Sequence, residues 1–294
     1  MPSCRQSCHP AGISGQVRGG FVLVIAMVAL VLAAATVWWW GQRDRSLTVI
    51  QERGKVRIGY AVEAPYAFLT PDGKVTGLVP ETARLVARQM GLGEPEWVLT
   101  EFSALINGLN LGRFDVIAAG MFITPEREAL MAFSQPIQHV GSGLLVAKGN
   151  PRGVESRAAA VARSDFKIAV LAGSVELDEL GGLGLPAERL VVVPDAGSGL
   201  TMVAGGRADG LALSLPTVLW MAAQPSAAHV VEALRVTLPA EGGGRTAFGF
   251  RTEDRAFREE WDRQLAALLP TDEFKQLTRQ FRFVTDSMRL RRRE

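Results

Sequence analysis

The sequence predicts an α/β protein of two lobes, preceded by an apolar segment. Three observations carry this expectation. Apolar runs and amphipathic stretches alternate as β-α-β-α-β between residues 55 and 119. The same grammar recurs between residues 166 and 215. Two glycine-flanked extended runs, near Gly141-Ser142-Gly143 and after Gly242-Gly243-Gly244, offer connectors on which the chain crosses between lobes.

The run from Phe21 to Trp40, FVLVIAMVALVLAAATVWWW, is about long enough to cross a bilayer as a helix. Arg5 and Arg18 precede it, which suits a cytoplasmic N-terminus. Two fates are open. Ala33-Ala34-Ala35 offers a signal-peptidase site. Trp38, Trp39 and Trp40 offer an interfacial belt for a retained anchor, and three tryptophans favour that fate. Either fate exports the rest of the chain to the periplasm or the outer face of the cytoplasmic membrane. Cys4 and Cys8 both precede the run, so a lipoprotein anchor after it is excluded, and the exported part has no disulfide or catalytic thiol. Cys4, Cys8 and His9 make only a weak metal pattern, so no metal or cofactor is expected. Of the 294 residues 48% are hydrophobic and 21% charged, enough apolar content for packed cores. The net charge of +2 argues against a nucleic-acid binder, and Arg289, Arg291, Arg292 and Arg293 read as a solvated tail.

After a linker to residue 45, residues 47–54 read as a small helix and 55–60 (KVRIGY) as a first strand. Pro71-Asp72-Gly73-Lys74 is a tight turn. Residues 80–90 form an amphipathic helix with Arg84 and Arg88 on its solvated face. A strand over 97–100 and a helix over 103–111 follow. Residues 114–119 contain Val116, Ile117, Ala118 and Ala119 in an unalternating apolar run, as expected of a strand covered on both faces. That strand is expected to break at Gly120. Thr124 then caps a helix that has Pro125 in its first turn. In the second unit, strands are expected over 166–171, 190–193 and 210–215, with helices opened by Ala172-Gly173-Ser174 and spanning 198–205. Helices over 254–269 and 272–281 return to the first lobe. The resulting domains are 1–45 (tail, apolar segment and linker), 46–140 with 245–294 (first lobe), and 141–244 (second lobe).

The stretch GRFDVIAAGMFITPER, residues 112–127, is the most informative part of the chain. Ligands of such sheets collect at the carboxyl ends of strands. Gly120 permits close backbone approach, and Arg127 presents a forked, permanent cation for a carboxylate. Together they describe a site for a small anion.

This stretch, with RGKVRIGY, Asp72-Gly73-Lys74, Gly77, Phe133-Ser134-x-Pro136, Gly173-Ser174 and Phe248-Gly249-Phe250-Arg251, resembles the family 3 extracytoplasmic solute-binding proteins of ABC importers. The resemblance covers about residues 46–285. It implies the type II periplasmic-binding-protein fold: two α/β lobes on two hinge strands, a solute held in the cleft, and closure read by a membrane permease. Relatives that bind ordinary amino acids place an aspartate for the ammonium where this chain has Ser214. Glu63-Ala64-Pro65-Tyr66 and Gly-Met-Phe-Ile-Thr-Pro-Glu-Arg resemble instead the binding proteins for ectoine and hydroxyectoine, which carry a cyclic amidinium and a carboxylate.

For such a zwitterion, Glu63 would neutralise the amidinium. Tyr66, Phe102 and Phe122, near three strand ends, would face the delocalised cation. Arg127 would take the carboxylate, and Ser174 would add a hydroxyl from the second lobe. The ligand-binding set is therefore Glu63, Tyr66, Phe102, Gly120, Phe122, Arg127 and Ser174. A polar amino acid is the alternative solute. No nucleophile–base motif, Walker loop or metal signature stands out, so a binding protein is expected rather than an enzyme. A dehydratase on the same scaffold would need a partner for Glu63. The protein is expected to act as a monomer.

Overall fold

The computed structural model describes residues 27–32, 44–235 and 244–283. The chain divides into two compact units, Met1–Asp44 and Arg45–Glu294. In the first unit residues 27–32 are helical and exposed. The remainder of the run from Phe21 to Trp40 lies outside the described residues, as do Cys4, Cys8, Gly242, Gly243 and the basic tail. Among the described residues no helix is long and apolar enough to cross a membrane.

The second unit contains two sheets. The first comprises β1 (Arg57–Tyr60), β4 (Glu96–Leu99), β5 (Val116–Phe122), β6 (Ala132–Phe133), β7 (Gln138–Val140) and β13 (Gly244–Phe250). Its order is β4-β1-β5-β13-β6, with β7 also on β13. A hairpin of β2 (Phe68–Leu69) and β3 (Val75–Thr76) stands apart. The second sheet comprises β8 (Ser142–Ala147), β9 (Ile168–Leu171), β10 (Leu190–Val193), β11 (Gly210–Ser214) and β12 (Val231–Arg235), in the order β10-β9-β11-β8-β12. In each sheet three strands are parallel, β4-β1-β5 and β10-β9-β11. Strands β13 and β8 pair antiparallel with β5 and β11. The sequence grammar suggests a mainly parallel sheet, and these antiparallel members are the difference. A parallel pair needs a crossover helix, whereas β8 is entered directly from β7 of the opposite sheet. Only Gly141 separates β7 from β8.

Helices cover the first sheet: α1 (Ser46–Arg53), α2 (Leu78–Gln89), α3 (Leu105–Asn110), α4 (Pro125–Glu128), α9 (Arg255–Leu268) and α10 (Asp272–Gln280). The second sheet carries α5 (Arg157–Ala162), α6 (Val175–Gly182), α7 (Ala196–Ala204) and α8 (Leu215–Ala222). The helices α5 and α8 and the strand β12 have no counterpart in the sequence reading.

Two other expectations are corrected. Strand β5 does not break at Gly120 but runs through it to Phe122. Gly120 holds φ +65°, and its partner strand shifts register between Ala247 and Gly249. Glycine thus absorbs an irregularity inside the strand and keeps the pairing. Arg84 is not solvated but buried. It donates to Val75 O at 2.8 Å, to Glu81 at 3.0 Å and to Glu94 at 2.7 Å, and lies over the Trp97 ring. Helical periodicity placed it outward, but the β2–β3 hairpin covers that face.

One core forms where α2 and α9 pack on the first sheet. There Trp261, fully buried, meets Phe248, Phe250 and Phe257 edge-on at 5.1, 5.9 and 5.7 Å. A second cluster contains residues of both lobes, among them Phe102 and Met121 of the first and Leu213 and Val218 of the second. The two lobes therefore share apolar contact.

Trp261→Ala is expected to cost about 3–5 kcal/mol, as for other large-to-small core changes. The exposed Arg88→Ala should stay within about 0.5 kcal/mol. Urea denaturation midpoints check both.

Candidate functional site

The segments following β1, β4, β5, β9 and β11 meet between the sheets, at the carboxyl ends of parallel strands. From the first lobe come a turn over residues 63–67, a short 3-10 helix at Phe102–Ala104, and the end of β5 leading into α4. From the second come the turn into α6 and the start of α8.

The 63–67 turn is held by its own backbone. Glu63 N donates to Ala67 O at 2.8 Å, and Tyr66 N to Glu63 O at 2.9 Å. Its outer carbonyls, Pro65 O and Tyr66 O, accept the first amides of α2 at 3.0 and 3.1 Å. Those amides have no partner within the helix, so the turn and helix fix each other. Glu63 is thereby pointed inward and buried. Thr217, on α8, donates to Glu63 Oε1 at 2.7 Å. Because a hydroxyl has one proton, Ser214 Oγ then donates to Thr217 Oγ1, at 3.1 Å. Burial pushes the Glu63 carboxyl up to about 7, against the lowering effect of Thr217, and the Glu176 carboxylate adds to the rise.

Thr124 caps α4 as the sequence predicts, its hydroxyl accepting from Arg127 N at 3.3 Å. This cap directs Arg127 into the interface. Its Nη1 donates to Phe122 O and its Nη2 to Gly173 O, each at 2.9 Å. The first acceptor lies in one lobe and the second in the other. Phe102 covers the guanidinium, ring centre 5.7 Å from Cζ. Burial lowers the Arg127 pKa, while Glu176 and Asp178 act in the opposite direction; a guanidinium stays charged nonetheless.

Gly173 holds φ +74°, and a Cβ there would stand 3.0 Å from Ser103 Cα. Glycine is what lets the second lobe come this close to the first. Ser174 follows, 4% exposed, at the N-cap of α6 without capping it. Glu176, 3% exposed, lies two residues on. Burial raises its pKa, while the buried Arg157 opposes the rise. Arg157 is itself ion-paired with Glu179.

The structure thus brings together Glu63, Arg127, Ser174, Tyr66 and Phe102. Tyr66 is 2% exposed, meets Phe283 edge-on at 5.0 Å, and fills the space beside Gly120, where a Cβ would collide with its ring. The open side of Gly120 is therefore occupied by Tyr66. Phe122 is half-buried at the end of β5, with Gly244 against its ring. The Tyr66 hydroxyl and Ser174 Oγ form no hydrogen bond of good geometry with protein, although Ser214 lies near enough to Tyr66, and Ser174 near enough to Glu176, to oppose the rise in pKa of each.

Sequence reasoning missed Thr217 and Glu176. Ser214-Leu215-Pro216-Thr217 is a readable helix start, with proline in the first turn. Glu176 gave no such signal, because acids in a first helical turn ordinarily complement the dipole from the surface. Chemically, the arrangement is a closed polar seam that holds one guanidinium, two buried carboxyls and aromatic rings. Among the described residues no cluster has the make-up of a metal site.

Comparison with known proteins identifies the family. The chain belongs to the bacterial extracellular solute-binding proteins, family 3, whose family model matches residues 56–284. It is 32% identical over 268 residues to the probable amino-acid ABC transporter periplasmic-binding protein y4tE of Sinorhizobium fredii, covering 89% of this chain and 88% of that one. Among solved structures it resembles EhuB in complex with hydroxyectoine at 35% identity and TM-score 0.71, covering 80% of this chain and 91% of that one. It also resembles the ancestral amino acid-binding protein AncCDT-1, described as a precursor of cyclohexadienyl dehydratase. That match has 25% identity and TM-score 0.71, over 80% of this chain and 99% of that one. The protein is thus an extracytoplasmic solute-binding component of an ABC importer, with the two-lobed periplasmic-binding-protein fold.

The buried Glu63 carboxyl makes folding stability depend on pH. In the folded protein it titrates near 7, against an ordinary 4.5. Between those values the folded state holds a proton the unfolded chain has released, so stability falls as pH rises from about 4.5 to 7 and then levels. The full change amounts to roughly 3 kcal/mol. Glu63→Gln should remove this part of the slope in thermal unfolding measured from pH 4.5 to 8.

Proposed function

We propose that the cleft captures ectoine or hydroxyectoine between its closing lobes and delivers it to an ABC permease. The observation that carries this reading is the opposed pair of buried charges, Glu63 and Arg127, each also bonded to the other lobe. A solute with a cation at one end and a carboxylate at the other satisfies both, so neither buried charge is left alone. Arg127 spends one N–H of each terminal nitrogen on carbonyls. A guanidinium has five N–H groups, so donors remain for a solute carboxylate. Tyr66 and Phe122 border the seam, and Ser174 supplies a buried hydroxyl. The likeness to a hydroxyectoine complex at 35% identity supports the same solute class.

In this reading residues 46–140 with 245–294 form the first lobe and 141–244 the second. The run from Phe21 to Trp40 exports the body and anchors it if uncleaved. The protein acts as a monomer and catalyses no reaction. Solute binding shifts the population to the closed form because only that form makes both sets of contacts.

A second reading is favoured by Glu176. Two buried carboxyls, Glu63 and Glu176, accompany one buried Arg127, which suits a solute with two cationic groups, such as arginine. Glu176→Gln should weaken arginine and leave ectoine unaffected if that reading holds.

Isothermal calorimetry of the purified protein with ectoine, hydroxyectoine, arginine and glutamine tests the assignment. Arg127→Ala and Glu63→Ala should each weaken ectoine at least roughly 30-fold, as when one member of a buried charge pair is truncated. Survival of ectoine binding in Glu63→Ala would remove the amidinium assignment. A cation needs the ionised form of Glu63, which titrates near 7. Affinity for ectoine should therefore be about tenfold lower at pH 6 than at pH 8.

A further inference from the structure

Helix α8 touches the first lobe twice, one turn apart. Thr217 reaches Glu63 inside the seam. Trp220, three residues on and so on the same helix face, packs against Phe68 outside it, ring centres 5.5 Å apart and planes at 47°. Phe68 in turn meets Phe281 edge-on at 6.2 Å and 80°. The row Trp220–Phe68–Phe281 therefore ties α8 of the second lobe, through the β2–β3 hairpin, to the end of α10 in the first. Neither Phe68 nor Trp220 belongs to the solute-binding set. Trp220 instead lines an apolar groove with Leu219, Phe274 and Phe283. The Phe68–Trp220 contact thus uses none of the seam's polar groups.

We infer that Phe68 and Trp220 form a solute-independent closing contact, which populates the closed form before solute arrives and so positions Thr217 and Gly173 for capture. An aromatic pair of this kind changes a two-state ratio by roughly twofold to tenfold. When the closed form is the minor one, apparent affinity changes by the same factor. The effect falls on the dissociation rate, since the groups that meet the solute are unaltered. The closed state invoked is the one the proposed function uses, but the contact is testable without any solute.

The test is a distance measurement by pulsed electron resonance on the full chain. Nitroxide labels go on Asp72→Cys in the first lobe and Glu188→Cys in the second, both exposed positions, in a Cys4→Ser, Cys8→Ser background. Without solute, the parent should show a closed-distance population. Trp220→Ala and Phe68→Leu should deplete it roughly twofold to tenfold, and Trp220→Phe should restore most of it. A merely structural role would lower the unfolding temperature without changing the distances of the folded fraction. Identical distributions in the parent and both truncated variants would overturn the inference. So would a parent with no closed population before solute is added. A second arm adds ectoine or arginine to the parent. If neither shifts the distances, the solute assignment fails, while the solute-free comparison still decides the closing contact.

Discussion

A buried guanidinium that must reach two carbonyls sets the terms for the rest of this molecule. Arg127 cannot shed its charge on burial, so its donors need acceptors. Phe122 O supplies one from the same lobe and Gly173 O one from across the cleft. The second acceptor is available only where the lobes are closed and Gly173 can lie against Ser103. Closure and the hydrogen bonding of Arg127 are consequently one event. The aromatic cover by Phe102 and the acids of α6 follow from the same need, since each lowers the cost of a cation away from water.

Glu63 is the counterpart in the seam, and its environment is the opposite. Burial raises its pKa, its one strong donor, Thr217, only partly opposes the rise, and the Glu176 carboxyl adds to it, so its proton is retained to about pH 7. Arg127 is charged whatever the pH, whereas Glu63 is poised. In the proposed reading a cationic solute group completes Glu63 by displacing that proton, which would link capture to pH. The apolar cluster shared by the two lobes gives closure a driving force that does not depend on charge. In the proposed reading the polar contacts then set which solute is accepted.

The stretch around β5 serves both ends of the first sheet. At the entry, Asp115 accepts from Arg57 N at 2.9 Å and from Arg57 Nη2 at 2.8 Å, and also pairs with Arg53. Burial alone would raise its pKa, but these donors outweigh burial and hold it below the ordinary value. Seven residues of strand later, β5 delivers Phe122 and, after the Thr124 cap, Arg127. Asp115 is a staple for the strand entries, and the proposed solute site lies at the exits.

Local chemistry made a good part of this legible. The unalternating Val116–Ala119 run marks a strand buried on both faces. Thr124-Pro125 marks a capped helix start, and the cap sends Arg127 inward. Gly173-Ser174 marks the turn into α6. These are decided by a few neighbouring residues, so the sequence by itself determined them, along with the order of the elements it predicted and the resemblance to a solute-binding family. Tertiary structure decided the rest. Arg84 sits on the polar side of α2 by periodicity, yet a hairpin from elsewhere buries it. Gly120 looks like a strand end, yet β13 pairs across it and Tyr66 fills its open side. Thr217 and Glu176 are ordinary polar residues in first helical turns until the opposite lobe closes over them. Each of these depends on a partner distant in the chain, and no local pattern encodes which surface a lobe will meet when it closes.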